Sequence, residues 1–143
     1  DDVESRGLGD VYKRQILGWA AAIKFLLEIG FDQIQAYELE LANYAREKLG
    51  QLENIIIYNK DVKSPTIAFN YKGVFCQDLA SYLGNKKIIV RAGLSCAKLY
   101  CNLIDTKALV RASLYIYNTK EDIDYLYNVL KDFKKGDEFN DLI

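Results

Sequence analysis

The chain has 143 residues, half of them apolar and 27% charged, the balance of a single globular domain with a real core. Its net charge of −1, from 19 basic and 20 acidic residues, gives no electrostatic reason to bind nucleic acid or an anionic membrane. The complete absence of histidine removes Ser-His and Cys-His nucleophile pairs, His-ligated metals and imidazole acid–base chemistry.

The first stretch, Asp1 to Gln15, is polar, mixed in charge and without a clear period, and reads as a lead that does not belong to the fold. From Ile16 the pattern changes. Ile16 to Ile29 predicts a helix apolar almost all round, too short and too interrupted by Lys24 and Glu28 to span a bilayer, and ended by Gly30. Asp32, with Gln35 three residues on, predicts a capped second helix with a buried stripe of Ile34, Tyr37, Leu41, Ala45 and Leu49, stopping at Gly50. The period then shifts toward two: a short strand over Ile55 to Tyr58, then Thr66 to Tyr71 with Ile67, Phe69 and Tyr71 on one face. Pro65 stands at that strand's start, where a missing N–H is tolerated.

A short helix from Phe75 to Leu83 and a strand from Lys87 to Arg91 follow, then an irregular stretch from Ala92 to Lys107. Leu109 to Tyr117 is the clearest strand, with Val110, Ala112, Leu114 and Ile116 on one face and Arg111, Ser113, Tyr115 and Tyr117 on the other. Thr119, with Asp122 three residues on, caps a last helix whose core stripe is Ile123, Leu126, Leu130 and Phe133. The predicted architecture is a small α+β domain in the order ααββαββα, with helices covering one face of a sheet.

Chemistry is sought on the second face of the last strand. An arginine placed there, Arg111, is either solvated or holds an anion, for which its planar guanidinium offers two parallel hydrogen bonds. Arg91, at the end of the preceding strand, has the same two readings. Cys96 follows in VRAGLSCA, near Arg91 and Lys98, where a cysteine could be an activated thiolate or an inert small hydrophobe. Cys101 and Cys96 alone make a poor zinc site, and Cys76 beside Leu79 and Leu83 reads as core. The uneven spacing of three cysteines is no disulfide framework and favours a reducing, cytoplasmic setting; the missing initiator methionine reads as a processed product or a fragment.

The run VRAGLSCA, followed at fifteen residues from cysteine to arginine by VRASLYIYNTKEDIDYLYNVLKDF, resembles the end of group II (Suf-type) cysteine desulfurases, relatives of the class V aminotransferases. ILGWAAAIKFLLEIGFDQIQAYELELANYAREKL and SPTIAFNYKGVFCQDLASYL are similar to the preceding part of the same family, so that the resemblance covers Ile16 to about Lys134. It implies that residues 16–143 are the small C-terminal domain of a fold-type I pyridoxal-phosphate enzyme whose large domain, with the cofactor lysine, is missing here. It implies that Cys96 is the nucleophile that takes sulfur from L-cysteine as a persulfide and leaves alanine. Arg111 would bind the substrate carboxylate and Arg91 would lie beside the same site. Pyridoxal 5'-phosphate is the implied cofactor, held mainly by the missing domain with no cofactor residue in this piece. A sulfur-acceptor protein and a homodimeric parent are the implied partners, with iron–sulfur cluster assembly the destination. Selenocysteine lyase shares the skeleton, and a cofactor-free sulfur carrier using Cys96 is the reading from another functional class. On the resemblance, the piece alone is expected to be inactive.

Overall fold

The structure, a computed structural model, describes residues 2–94 and 98–137, with side chains from residue 11 onward. Two compact units divide the chain, Asp1–Ala36 and Tyr37–Ile143. The first holds helix α1 (Asp2–Ile29) and the opening of α2 (Phe31–Gly50). α1 begins well before the expected Ile16, because elongating an existing helix is far easier than nucleating one and no proline interrupts the preceding residues. Gly30, at φ +92°, ends it as expected, its N–H on the Leu26 carbonyl. Asp32 lies inside α2, in its first turn, and so serves the helix dipole instead of standing at the N-cap. Many apolar side chains of α1 are exposed, Leu17 at 70% and Trp19 at 72% among them.

In the second unit four strands form one antiparallel sheet in the order β1-β2-β4-β3: β1 (Ile55–Ile57), β2 (Thr66–Tyr71), β3 (Arg91–Gly93) and β4 (Leu109–Ser113). One face carries Ile55, Ile57, Ile67, Phe69, Tyr71, Val110 and Ala112 into the main core. There they meet Leu41, Ala42, Ala45 and Leu49 of α2, Cys76, Leu79 and Leu83 of α3 (Cys76–Asn85), and Ile123, Leu126 and Leu130 of α5 (Lys120–Asp132), with Phe133 just beyond. The α2 stripe differs from expectation at one place: Tyr37 is 38% exposed, its hydroxyl on the Asn118 carbonyl, and Ala42 is buried instead.

The irregular stretch contains a helix the pattern did not predict, α4 (Lys98–Leu103). Its Cys101 packs with Ala68 and Leu109 in a second cluster, flanked by Tyr58, Tyr100 and Ile104. Ala68 and Leu109 alternate with the core-facing residues, so α4 covers part of the opposite face and the helices are not confined to one side. β3 also differs: Lys87 adopts φ +65° in the turn after α3, and pairing starts only at Arg91. β4 stops at Ser113: the Leu114 N–H still bonds the Pro65 carbonyl in register, but Pro65 has no N–H to return, and the chain turns at Tyr115–Asn118.

α5 starts as predicted. Thr119 accepts from the Asp122 N–H, and Asp122 Oδ2 accepts from the Thr119 N–H at 3.0 Å, a complete capping box. Farther along, Asp124 accepts from Tyr44 and pairs with Lys48 at 2.9 Å, which holds its carboxyl below the usual range. Thr119→Ala should lower the unfolding free energy by about 1 kcal/mol, read as a shifted urea midpoint at unchanged slope.

Candidate functional site

Register brings the two predicted arginines together. Arg111 of β4 stands opposite Ala68 of β2 on one side and opposite Arg91 of β3 on the other. Directly opposed residues share a face, so Arg91, Arg111 and Ala68 form a row on the face away from the main core. Two arginines on one face of neighbouring strands form an arrangement that suits a carboxylate or other anion. Arg91 is exposed and Arg111 half-buried. This is the environment in which a charged hydrogen bond counts for more than in open water.

Arg111 lines a cleft of about 210 Å³ together with Thr66, Ala68 and Leu109. Asn59, Val62 and Ser64 wall one side, and Leu94 and Tyr100 also line it. One cation, a few small neutral polar groups and an apolar remainder suit a small molecule with one anionic end. A second cleft of about 240 Å³ lies between Lys87–Val90 and the start of α5, and neither arginine lines it. The chemistry therefore points to the first.

Cys96 lies outside the described residues, as do Ser95 and Ala97. Its sequence neighbours locate the segment's ends: Leu94, two residues earlier, lines the Arg111 cleft, and Lys98, two residues later, begins α4. Gly93, in the same RAG run, has φ +117°, a conformation that side-chain-bearing residues rarely adopt.

The other two cysteines are packing residues, Cys76 in keeping with the sequence reading. Cys101, on α4, is completely buried. Cys76 is buried at the start of α3, and burial pushes its thiol pKa up while a hydrogen bond from the Gly93 N–H pulls the other way. Its thiol donates to Gln77 Oε1. Among the described residues no three His, Cys, Asp or Glu side chains converge as a metal-ligand set.

Two buried polar residues escaped the sequence reading, Arg46 and Asn59. Arg46 Nη2 donates to the carbonyls of Ser64 (2.6 Å) and Thr66 (3.4 Å), and desolvation lowers its pKa. Asn59 Nδ2 donates to the Thr66 carbonyl (2.6 Å), and its Oδ1 accepts from the Ala68 N–H (2.9 Å). Most of their partners are main-chain groups, which leave no mark in a side-chain pattern; Arg46 Nη1 also donates to Asn43 Oδ1 at 3.4 Å. The only available signal was an arginine four residues after Ala42 on a helix whose neighbouring positions are buried.

A family model described as Aminotransferase class-V matches residues 11–126. Among curated proteins, a probable cysteine desulfurase of Ureaplasma parvum is 50% identical over 126 residues, covering 88% of this chain and 31% of that protein. A probable cysteine desulfurase of Staphylococcus aureus strain Mu50 is 44% identical over 123 residues, covering 85% of this chain and 30% of that protein. Of solved structures, the apo cysteine desulfurase from Thermococcus onnurineus NA1 superposes with a TM-score of 0.77 at 30% identity, over 83% of this chain and 30% of that one. The cysteine desulfurase CsdA from Escherichia coli gives 0.75 at 28%, over 80% and 29%. The chain thus spans about a third of the length of the curated relatives it matches, 31% and 30% for the two above.

Proposed function

The chain belongs to the aminotransferase class-V family, and from that premise we propose that it is the sulfur-accepting, substrate-gripping part of a cysteine desulfurase. The observation that carries the reading is Arg111 in its cleft, side by side with Arg91, with Leu94 of the Cys96 segment in the same lining. In this reading residues 16–143 are the small C-terminal domain and residues 1–15 stand outside it. The rest of the parent covers the exposed apolar side chains of α1, and the parent works as a cytoplasmic homodimer.

The cofactor is pyridoxal 5'-phosphate, and the Arg111 cleft does not by itself fit it. Among the described residues no lysine lines the cleft, and the sequence has no histidine to stack on the ring. Residues beyond these hold the cofactor in the parent. What this chain's residues do is separate. Arg111 clamps the carboxylate of L-cysteine through its guanidinium, fixing the substrate, with Arg91 adding positive charge beside it. The Cys96 thiolate attacks the substrate sulfur, forming an S–S bond as the carbon–sulfur bond breaks. The electron pair stays with the substrate carbon, whose protonation gives alanine, and Cys96 keeps the sulfur as a persulfide. A sulfur-acceptor protein then removes it toward iron–sulfur cluster assembly.

The test is full-length protein loaded with pyridoxal phosphate and given L-cysteine. Expected are alanine release and a mass gain of one sulfur atom on the peptide bearing Cys96, both absent in Cys96→Ser. Turnover with Cys96 unmodified would overturn the assignment. Sulfur uptake by this chain from a persulfide donor, in a protein that never releases alanine, would favour a cofactor-free carrier.

A further inference from the structure

We propose that Asn59 is a positioning residue for Arg111, an inference that rests on the reading of Arg111 as the carboxylate clamp. β1 pairs with β2 only as far as Ile57, opposite Phe69, and its last main-chain link is the Tyr58 N–H on the Ala68 carbonyl at 2.9 Å. Beyond that point the side chain of Asn59 takes the place of the missing strand. Its amide N–H₂ holds the Thr66 carbonyl at 2.6 Å and its carbonyl oxygen holds the Ala68 N–H at 2.9 Å. Arg46 reinforces the same span from α2, through the carbonyls of Ser64 and Thr66.

The other edge of that span pairs with β4, where Ala68 faces Arg111 and Thr66 faces Ser113. The residue opposite Arg111 is therefore the one whose N–H Asn59 holds. Asn59 is also a wall of the cleft in which Arg111 lies. A shift of one residue in a strand's pairing sends every side chain to the opposite face. Much smaller errors of aim also matter to a planar, two-pronged contact. Asn59 is buried, with 8% of its surface exposed. Its bond from the Ala68 N–H forms out of water, where losing it is costly, whereas the Thr66 carbonyl keeps Arg46 as a second donor.

The test is Asn59→Leu in the full-length, cofactor-loaded enzyme, alone and combined with Arg111→Lys. Lysine keeps the charge at Arg111 but not the fork. Expected is a KM for L-cysteine raised about tenfold to a hundredfold with kcat little changed, the split that marks lost substrate binding. In the Arg111→Lys background the same substitution should add almost nothing to KM, because the geometry it protects is already gone. If Asn59→Leu multiplies KM equally in both backgrounds, or lowers kcat and the unfolding midpoint together, Asn59 is only structural and the proposal fails. An unchanged KM overturns it as well. If Arg111→Lys itself leaves KM unchanged, the clamp reading falls and the positioning role falls with it. Should Asn59→Leu not fold, Asn59→Ser, which keeps one short hydrogen-bonding group, is carried through the same cycle with the same criteria.

Discussion

Replacing Arg111 by alanine should lower kcat/KM for L-cysteine by about 10²- to 10³-fold, the scale of losing one side of a partly desolvated, hydrogen-bonded charge pair. Most of the loss should appear in KM, because a carboxylate far from the breaking bond is held about equally in ground and transition states. Steady-state alanine formation over a range of L-cysteine concentrations separates the two constants. The strand sets how strongly each arginine can hold the carboxylate. Arg111 is half-buried, in a cleft with Ala68 and Leu109, whereas Arg91, opposite it, is exposed. Water therefore screens Arg91 more strongly, and Arg91→Ala should produce the smaller defect. An Arg111 variant with wild-type KM would place the carboxylate elsewhere.

The largest stability effect is expected at Phe69. It is completely buried and sits in the middle of the sheet, opposite Ile57 on one side and Val110 on the other. Phe69→Ala removes a ring from a region where α2, α3 and α5 all contribute to the same core cluster, so little can collapse into the space. Such truncations cost about 3–5 kcal/mol, against about 5–15 kcal/mol for the whole stability of a typical domain. Urea unfolding of the variant should show a midpoint shifted far down with an unchanged slope. A shift within the range of a surface substitution would mean that the cluster does not hold the unit together.

The elements that the sequence made legible are those whose determinants are local. β2 keeps its predicted limits because alternation places Ile67, Phe69 and Tyr71 on one side, and α5 begins at Thr119 because its cap is a side-chain contact three residues long. The strand around Ile88 and Val90 was misplaced for the converse reason. Its alternation is real, but the turn at Lys87, together with the bond from the Ile88 N–H to the Leu83 carbonyl, keeps those residues out of the ladder until Arg91. α4 is six residues long, too short to display a helical period. At the candidate site, Arg91 and Arg111 were identified from their strand positions, but their pairing is a matter of register, which no single strand contains. Asn59 and Arg46 leave little trace in the sequence because what they hold across the fold is backbone, that of Ser64, Thr66 and Ala68.

The short β1 also bears on what the sheet offers to other molecules. Exposed strand edges are templates onto which a second polypeptide can add, the usual route to β-type aggregation. β2 outlasts β1 at Thr66–Ala68, an apolar-centred segment around Ile67 that would otherwise invite such addition. There the amide of Asn59 already occupies the Thr66 carbonyl and the Ala68 N–H. At this stretch the sheet thus closes its edge with a side chain and denies a foreign strand the hydrogen bonds on which recruitment depends.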